Sequence, residues 1–288
     1  MESPNWHELQ YLPSLTVAGA GDVIPGWERR SAKTRVSFPF QADVSYGGHA
    51  RETIDFFSVE NATSTLVYIH GGYWRMLSKV ETSFVAEEFL RKGHSVALVN
   101  YPLCPEVSIS QIRTSVQNAF AYLYKNMLTV CERENIVVAG HSAGGHLAAL
   151  HLATDWTAYG LPANPVNGVL SLSGVFDVEP LIHTSLNDTL SITQKSAADI
   201  NLNTAPLKSK AHLVLAVGGD EPSEFHRQSL GLAKAWAGLK PQIKNLAGFN
   251  HYTIVDSLAD RTGDLHQMAC DLLSKTGKTS VAGCVQQR

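Results

Sequence analysis

The stretch Asn135–Leu150, NIVVAGHSAGGHLAAL, decides how the rest of the chain is read. Ile136–Ala139 predicts a short buried strand, and the residues after Ser142 a helix. They are joined by the turn Gly140-His141-Ser142-Ala143-Gly144. A serine on so sharp a strand-to-helix turn sits in strained backbone geometry, so the positions two residues to either side must be tiny. Gly140 and Gly144 meet that demand, and the turn fits G-x-S-x-G, a pattern that presents serine as a nucleophile. It also leaves Ser142 at a helix N-terminus, where free N–H groups and the positive dipole end favour a developing anion. The bland alternative is a glycine-rich turn with an idle serine.

Working outward, buried strands are predicted at Thr65–Ile69, Ser95–Val99, Gly168–Leu172, His212–Val217 and Gln242–Leu246. Val36–Phe40, Val44–Tyr46 and Arg51–Val59 read as short strands, the last with the alternation of an exposed antiparallel pair. Ser78 and Glu81 predict the capped start of a helix over 79–92 with Gly93 beyond its end. Ile109, Ile112, Val116, Ala119, Phe120, Leu123 and Met127 recur at helical spacing. Further helices are expected up to Ala237 and over Asp264–Ser274. Strands alternating with helices imply an α/β fold: a mostly parallel central sheet with helices on both faces. One domain over 1–288 is expected. Its elaborations are an N-terminal arm (1–35) without regular patterning that roofs a pocket, a polar cap-like insertion (178–210) and a frayed tail (275–288).

A serine hydroxyl needs a base, and the base needs a group to hold it. Where the serine lies on such an elbow, the chain order is serine, acid, histidine. Ser142, Asp220 and His251 follow it, each just past a predicted strand, with Asp177 as the runner-up acid. His226 and His266 fall within predicted helices as ordinary surface groups; His141 packs beneath the elbow and His146 sits on its helix. The oxyanion donors expected are the N–H of Ala143 and those of Gly71 and Gly72, where missing side chains let backbone approach closely.

Composition bounds the partners. Charged residues are 17% of 288, the net charge is −3, and no basic run occurs, which gives nucleic-acid binding no support. No apolar run is long enough to span a membrane. The opening MESPNWHELQYLPS lacks the basic and apolar regions of a secretory leader. Cys104, Cys131, Cys270 and Cys284 are widely spaced and read as reduced thiols, so a cytoplasmic setting is expected. No His/Cys/carboxylate cluster calls for a metal, and no cofactor is expected.

HGGYW at 70–74, NYPLCP at 100–105, GHSAGGHLAAL at 140–150, SGVFDVEPL at 173–181, GGDEPSEFHRQS at 218–229 and NHYTIVDSLAD at 250–260 together resemble kynurenine formamidases. These arylformamidases are a branch of the hormone-sensitive-lipase-like α/β-hydrolases. The resemblance covers about 43–275 and is weaker over 1–40 and 182–210. It implies the α/β-hydrolase fold and hydrolysis of N-formyl-L-kynurenine to L-kynurenine and formate. Ser142, Asp220 and His251 would act as triad, with Gly71, Gly72 and Ala143 as oxyanion hole. The aryl ring needs a flat apolar wall, for which Tyr73, Trp74, Phe176, Phe249 and Tyr252 are candidates. The expected partner is a small aryl formamide or ester, with self-association into a homodimer left open. A carboxylesterase or amidase with the same machinery, and a non-catalytic binding protein, are the alternatives.

Overall fold

The computed structural model describes residues 5–274; the expected frayed tail over 275–288 lies outside them. Eight strands form one sheet: β1 (Gln41–Ser45), β2 (Thr53–Phe57), β3 (Thr65–Ile69), β4 (Ser95–Val99), β5 (Ile136–His141), β6 (Gly168–Leu172), β7 (His212–Gly218) and β8 (Gln242–Leu246). Their spatial order is β1-β2-β4-β3-β5-β6-β7-β8. β2 is antiparallel to both β1 and β4, and every other pairing is parallel. The inner parallel strands β3 to β7 are buried on both faces, as helices on either side require, whereas β8, expected to be buried, is the sheet's edge and is exposed except at Lys244 and Leu246. In β3, Val67 and Ile69 enter one apolar cluster while Leu66 and Tyr68 enter the other.

Register positions the site. Ile69 pairs with Gly140, His141 with Leu172, Leu172 with Ala216, and Gly218 with Leu246. The carboxyl ends of β3, β5, β6, β7 and β8 are therefore level. Their exit turns crowd onto one edge, where open α/β sheets bind ligands.

The arm and the segment 79–92 differ from expectation. The arm is helical, with helices at Trp6–Tyr11, Pro13–Thr16 and Ala20–Ser37, so Val36 and Ser37 end a helix and β1 starts only at Gln41. The long helix buries Trp27, Ser31 and Thr34, spaced four and three residues apart. Two of the three are polar, so no apolar stripe betrays the helix. They tolerate burial because Ser31 Oγ donates to the Glu81 carbonyl and accepts from Phe84 N–H, while Thr34 Oγ1 donates to Arg30 O. The segment 79–92 is not one helix but a turn, a 3₁₀ stretch (Ser83–Ala86) and a short α-helix (Glu87–Arg91). Lys79 is drawn down to the fully buried Asp55, 2.9 Å away, which Arg35 of the long helix also pairs. That ion cluster fixes the segment against β2 and displaces the regular helix.

The 178–210 insertion forms short helices at Glu179–His183, Asn187–Leu190 and Gln194–Ile200. Cys104 and Cys270 are free and buried, but Cys131 is disulfide-bonded, against the expectation of four reduced thiols. Among the described residues no helix is long and apolar enough to cross a membrane.

Candidate active site

Ser142 follows β5 with φ 56° and ψ −120°, a conformation that costs a non-glycine residue about 1–3 kcal/mol and that packing must enforce. The packing is visible. A Cβ on Gly140 would lie 2.1 Å from the Gly144 carbonyl oxygen, and one on Gly144 would lie 2.1 Å from that of Ile69. Only glycine lets the elbow fold against itself and against β3. Ser142 N–H donates to Leu172 O at 2.8 Å, tying the elbow to β6. Ala143 opens the helix Ala143–Ala153, so its N–H has no acceptor within the helix by position.

The turn after β3 lies directly against the elbow. A Cβ on Gly71 would come within 3.2 Å of Ser142 Cβ and 2.7 Å of His141 O. The peptide joining Gly71 to Gly72 is clamped from one side. Its carbonyl accepts from His70 Nδ1–H at 2.8 Å and from the Tyr101 hydroxyl at 3.2 Å. A trans peptide directs its N–H opposite to its carbonyl, so the clamp turns the Gly72 N–H away from those two donors. The His70 and Tyr101 rings stack at 4.2 Å and 7°. Burial lowers the His70 pKa to about 4, so it remains a neutral donor. Gly72 has φ +95°, and a side chain there would strike the Met76 carbonyl.

His251 sits in the turn after β8. Asn250 Oδ1 accepts the N–H groups of Tyr252 and Thr253 at 2.9 and 3.0 Å, and Asn250 N–H donates to Thr253 Oγ1. This local turn, preceding the helix Ile254–Ala259, fixes the backbone that carries the imidazole. The acid paired with it is not Asp220. His251 Nδ1–H donates to Glu221 Oε2 at 2.7 Å, with the glutamate side chain fully buried. Glu221 Oε1 accepts from the Ser173 hydroxyl at 2.5 Å and from Gly218 N–H at 2.7 Å. Three donors thus surround one buried carboxylate and satisfy its two oxygens.

The physical reason for the correction is turn geometry. Gly218–Glu221 closes on itself through Glu221 N–H to Gly218 O, which folds the glutamate back over the strand end. Asp220, at the crest, is exposed. Its N–H donates to the Phe249 carbonyl. The runner-up Asp177 accepts instead from Asn201 and Arg227. Nothing in the pair Asp220-Glu221 marks the second as the inward one. Ser173, a non-glycine residue at φ 50°, is likewise invisible as a partner before β6 and β7 are aligned.

Ser142 and His251 are 2% and 4% exposed. Among the described residues the Ser142 hydroxyl makes no hydrogen bond, so the serine-to-imidazole link is not closed in this conformation. Of the five aromatic candidates, Trp74 and Phe176 are wholly buried in the core. Tyr252 meets the His251 ring edge-on at 5.8 Å. The Tyr73 hydroxyl donates to the main-chain carbonyl of Tyr11 in the arm. Phe249 is half-buried and packs on the cluster opposite to that of Trp74 and Phe176. Phe225, which the sequence reading did not single out, tilts against His251 at 4.5 Å and against Tyr11 at 6.1 Å. His266 is buried, not a surface group, and its Nδ1–H donates to Leu258 O. No group of metal-ligating side chains occurs among the described residues.

The chain is 30% identical to a kynurenine formamidase of Danio rerio, in an alignment that covers 93% of this chain and 96% of the relative. The chain belongs to the kynurenine formamidase family. A kynurenine formamidase of Salmo salar is 32% identical, with 81% and 82% of the two chains covered. The BD-FAE family model matches residues 56–216, from β2 to near the end of β7. Among solved structures, a Silicibacter protein provisionally called a thioesterase has a TM-score of 0.81 and 31% identity, covering 91% of this chain and 99% of that one. A Pyrobaculum calidifontis esterase has a TM-score of 0.64 at 18% identity, over 95% and 99% of the two chains, a likeness of fold alone. The fold of this formamidase-family chain is thus the α/β-hydrolase fold read from its strand order.

Proposed function

We propose that this chain is a serine hydrolase that cleaves the formamide bond of N-formyl-L-kynurenine, giving L-kynurenine and formate. The observation that carries the reading is the buried Glu221–His251 pair beside the Ser142 elbow, in a chain 30% identical to a formamidase over nearly its whole length. Ser142 attacks the formyl carbon as His251 Nε2 takes its proton, and Glu221 holds the imidazole by its Nδ1–H. The serine-to-imidazole bond forms with substrate bound; such bonds are often long or absent in free enzymes. The oxyanion rests on the amides of Gly71, Gly72 and Ala143, each worth about 3–4 kcal/mol when removed. His251 then protonates the departing arylamine. Water activated by the same imidazole releases formate from the formyl-serine.

A single catalytic domain, with the arm and the 178–210 segment over the site, is part of this proposal. Its support is the one sheet built from residues 41–246 and the contact of Tyr11 with Tyr73. The aryl wall is assigned to Tyr73 and Tyr252, which border the relay, ahead of Trp74, Phe176 and Phe249.

The test is formate release from N-formyl-L-kynurenine compared with hydrolysis of p-nitrophenyl acetate. A kcat/KM for the formamide well above that for the ester is expected. The reverse would favour a second reading, an esterase or thioesterase for small acyl groups, to which the likeness to the Silicibacter protein lends weight. Turnover of neither, with no labelling by a fluorophosphonate, would sink both.

A further inference from the structure

His141 lies between the parts of the site without belonging to the relay. Its Nε2 is 2.7 Å from the main-chain oxygen of His251. A carbonyl can only accept, so the Nε2–H donates and the tautomer is fixed. The two imidazoles face each other at 4.7 Å and 48°. A Cβ on Gly71 would meet His141 Nδ1 at 3.3 Å. Trp27 of the long arm helix closes the edge at 6.1 Å. His141 is covalently joined to Ser142. One side chain therefore touches the segment carrying the base and the turn carrying the oxyanion donors, while its own backbone leads into the nucleophile.

We propose that His141 is a positioning residue, whose Nε2–H holds the backbone of His251 at the distance from Ser142 that proton transfer needs. This rests on the serine-hydrolase reading above. Burial, and secondarily the charge of His251, keep His141 far below its ordinary pKa, so it remains a neutral donor and does not compete for the proton in transit. The Asn250 turn fixes the local shape of the His251 segment but not its distance from β5. Among the described residues, the hydrogen bond from His141 is the one that spans from the elbow to that segment. A displacement of about 1 Å at such a contact can cost about 100-fold in rate.

The experiment compares His141→Leu, His141→Asn and His141→Gln with the parent. Leucine keeps the volume without a donor, asparagine's amide falls short, and glutamine's amide can reach the carbonyl. We expect the leucine and asparagine variants to lose roughly 100-fold in kcat with KM changed less than about threefold. Fluorophosphonate labelling of Ser142 should slow in step. The glutamine variant should recover to within about tenfold of the parent. Circular dichroism and Tm identify any variant that does not fold, and the asparagine variant carries the test if leucine fails. Parent-like kcat in the leucine or asparagine variant overturns the proposal; so does equal impairment of the glutamine variant, or a change in KM alone. A parent that neither labels nor turns over overturns the serine-hydrolase reading itself.

Discussion

The turn after β5 and the turn after β7 each follow a buried parallel strand and each deliver a group to the same cluster. They differ in what pins that group. Around Ser142 the backbone is so crowded that Gly140 and Gly144 admit no Cβ, and the serine's position follows from the glycines. In the turn after β7 two acids stand side by side. Which one turns inward is decided by Gly218 N–H, the Ser173 hydroxyl and His251 Nδ1, contributed by three different strand exits. A site fixed by local sterics is legible in a short motif; one fixed by partners brought from afar is not.

The largest effect that tests this comparison is at the elbow. Ser142→Ala should lower kcat by about 10⁵–10⁶, and adding His251→Ala should lower it little further, because the groups act as a unit. Additive losses in single-turnover assays would separate the serine from the imidazole. On the other turn, Glu221→Gln should cost about 10³–10⁴ in kcat, as loss of a charged imidazole partner does, while Asp220→Asn should change it less than about twofold. A steady-state comparison in which Asp220→Asn is the damaging change would reverse the assignment.

Stability should separate the two turns more mildly. Gly140→Ala places a methyl 2.1 Å from a carbonyl oxygen and should destabilise by about 3 kcal/mol or more. Gly219→Ala meets Ala247 Cα at 2.9 Å and should cost about 1–2 kcal/mol, both read from urea midpoints. Like behaviour at the two positions would remove the steric distinction. A separate test is in pH. His70 and His146, which flank the elbow, have pKa values lowered by burial to about 4 and about 3. Below about pH 6.5 the unfolded chain takes up protons that these residues refuse when folded. Stability should therefore be flat above pH 6.5 and fall toward pH 4 by about 1.4 kcal/mol per pH unit for each histidine. A flat urea midpoint across pH 4–6.5 would contradict their burial as neutral groups.

Legibility failed elsewhere for related reasons. The long helix Ala20–Ser37 hides its inner face in Ser31 and Thr34; the Ser31 hydroxyl finds its partners only once the 79–87 segment is docked, while Thr34 donates back to Arg30 within the helix. That segment gives up its expected helix to the ion cluster around Asp55. In both places side-chain partners from distant sequence outweigh local periodicity. By contrast the helix Ile109–Asn126 carries an apolar face and a capping box, Ser108 with Gln111, and forms where its pattern predicts.

The sequence by itself determined the six parallel strands, their alternation with helices, the elbow serine, the glycine turn facing it and the histidine after β8. Each of these depends on short-range rules: which residues bury, which spacing matches a helix, where a Cβ has no room. Only the tertiary structure decided that Glu221 rather than Asp220 meets His251, that Ser173 completes the carboxylate's donors and that His141 bridges to the base. Those choices turn on hydrogen bonds between strand exits far apart in the chain. A buried charge goes where its partners converge, and that point exists only after the sheet has formed.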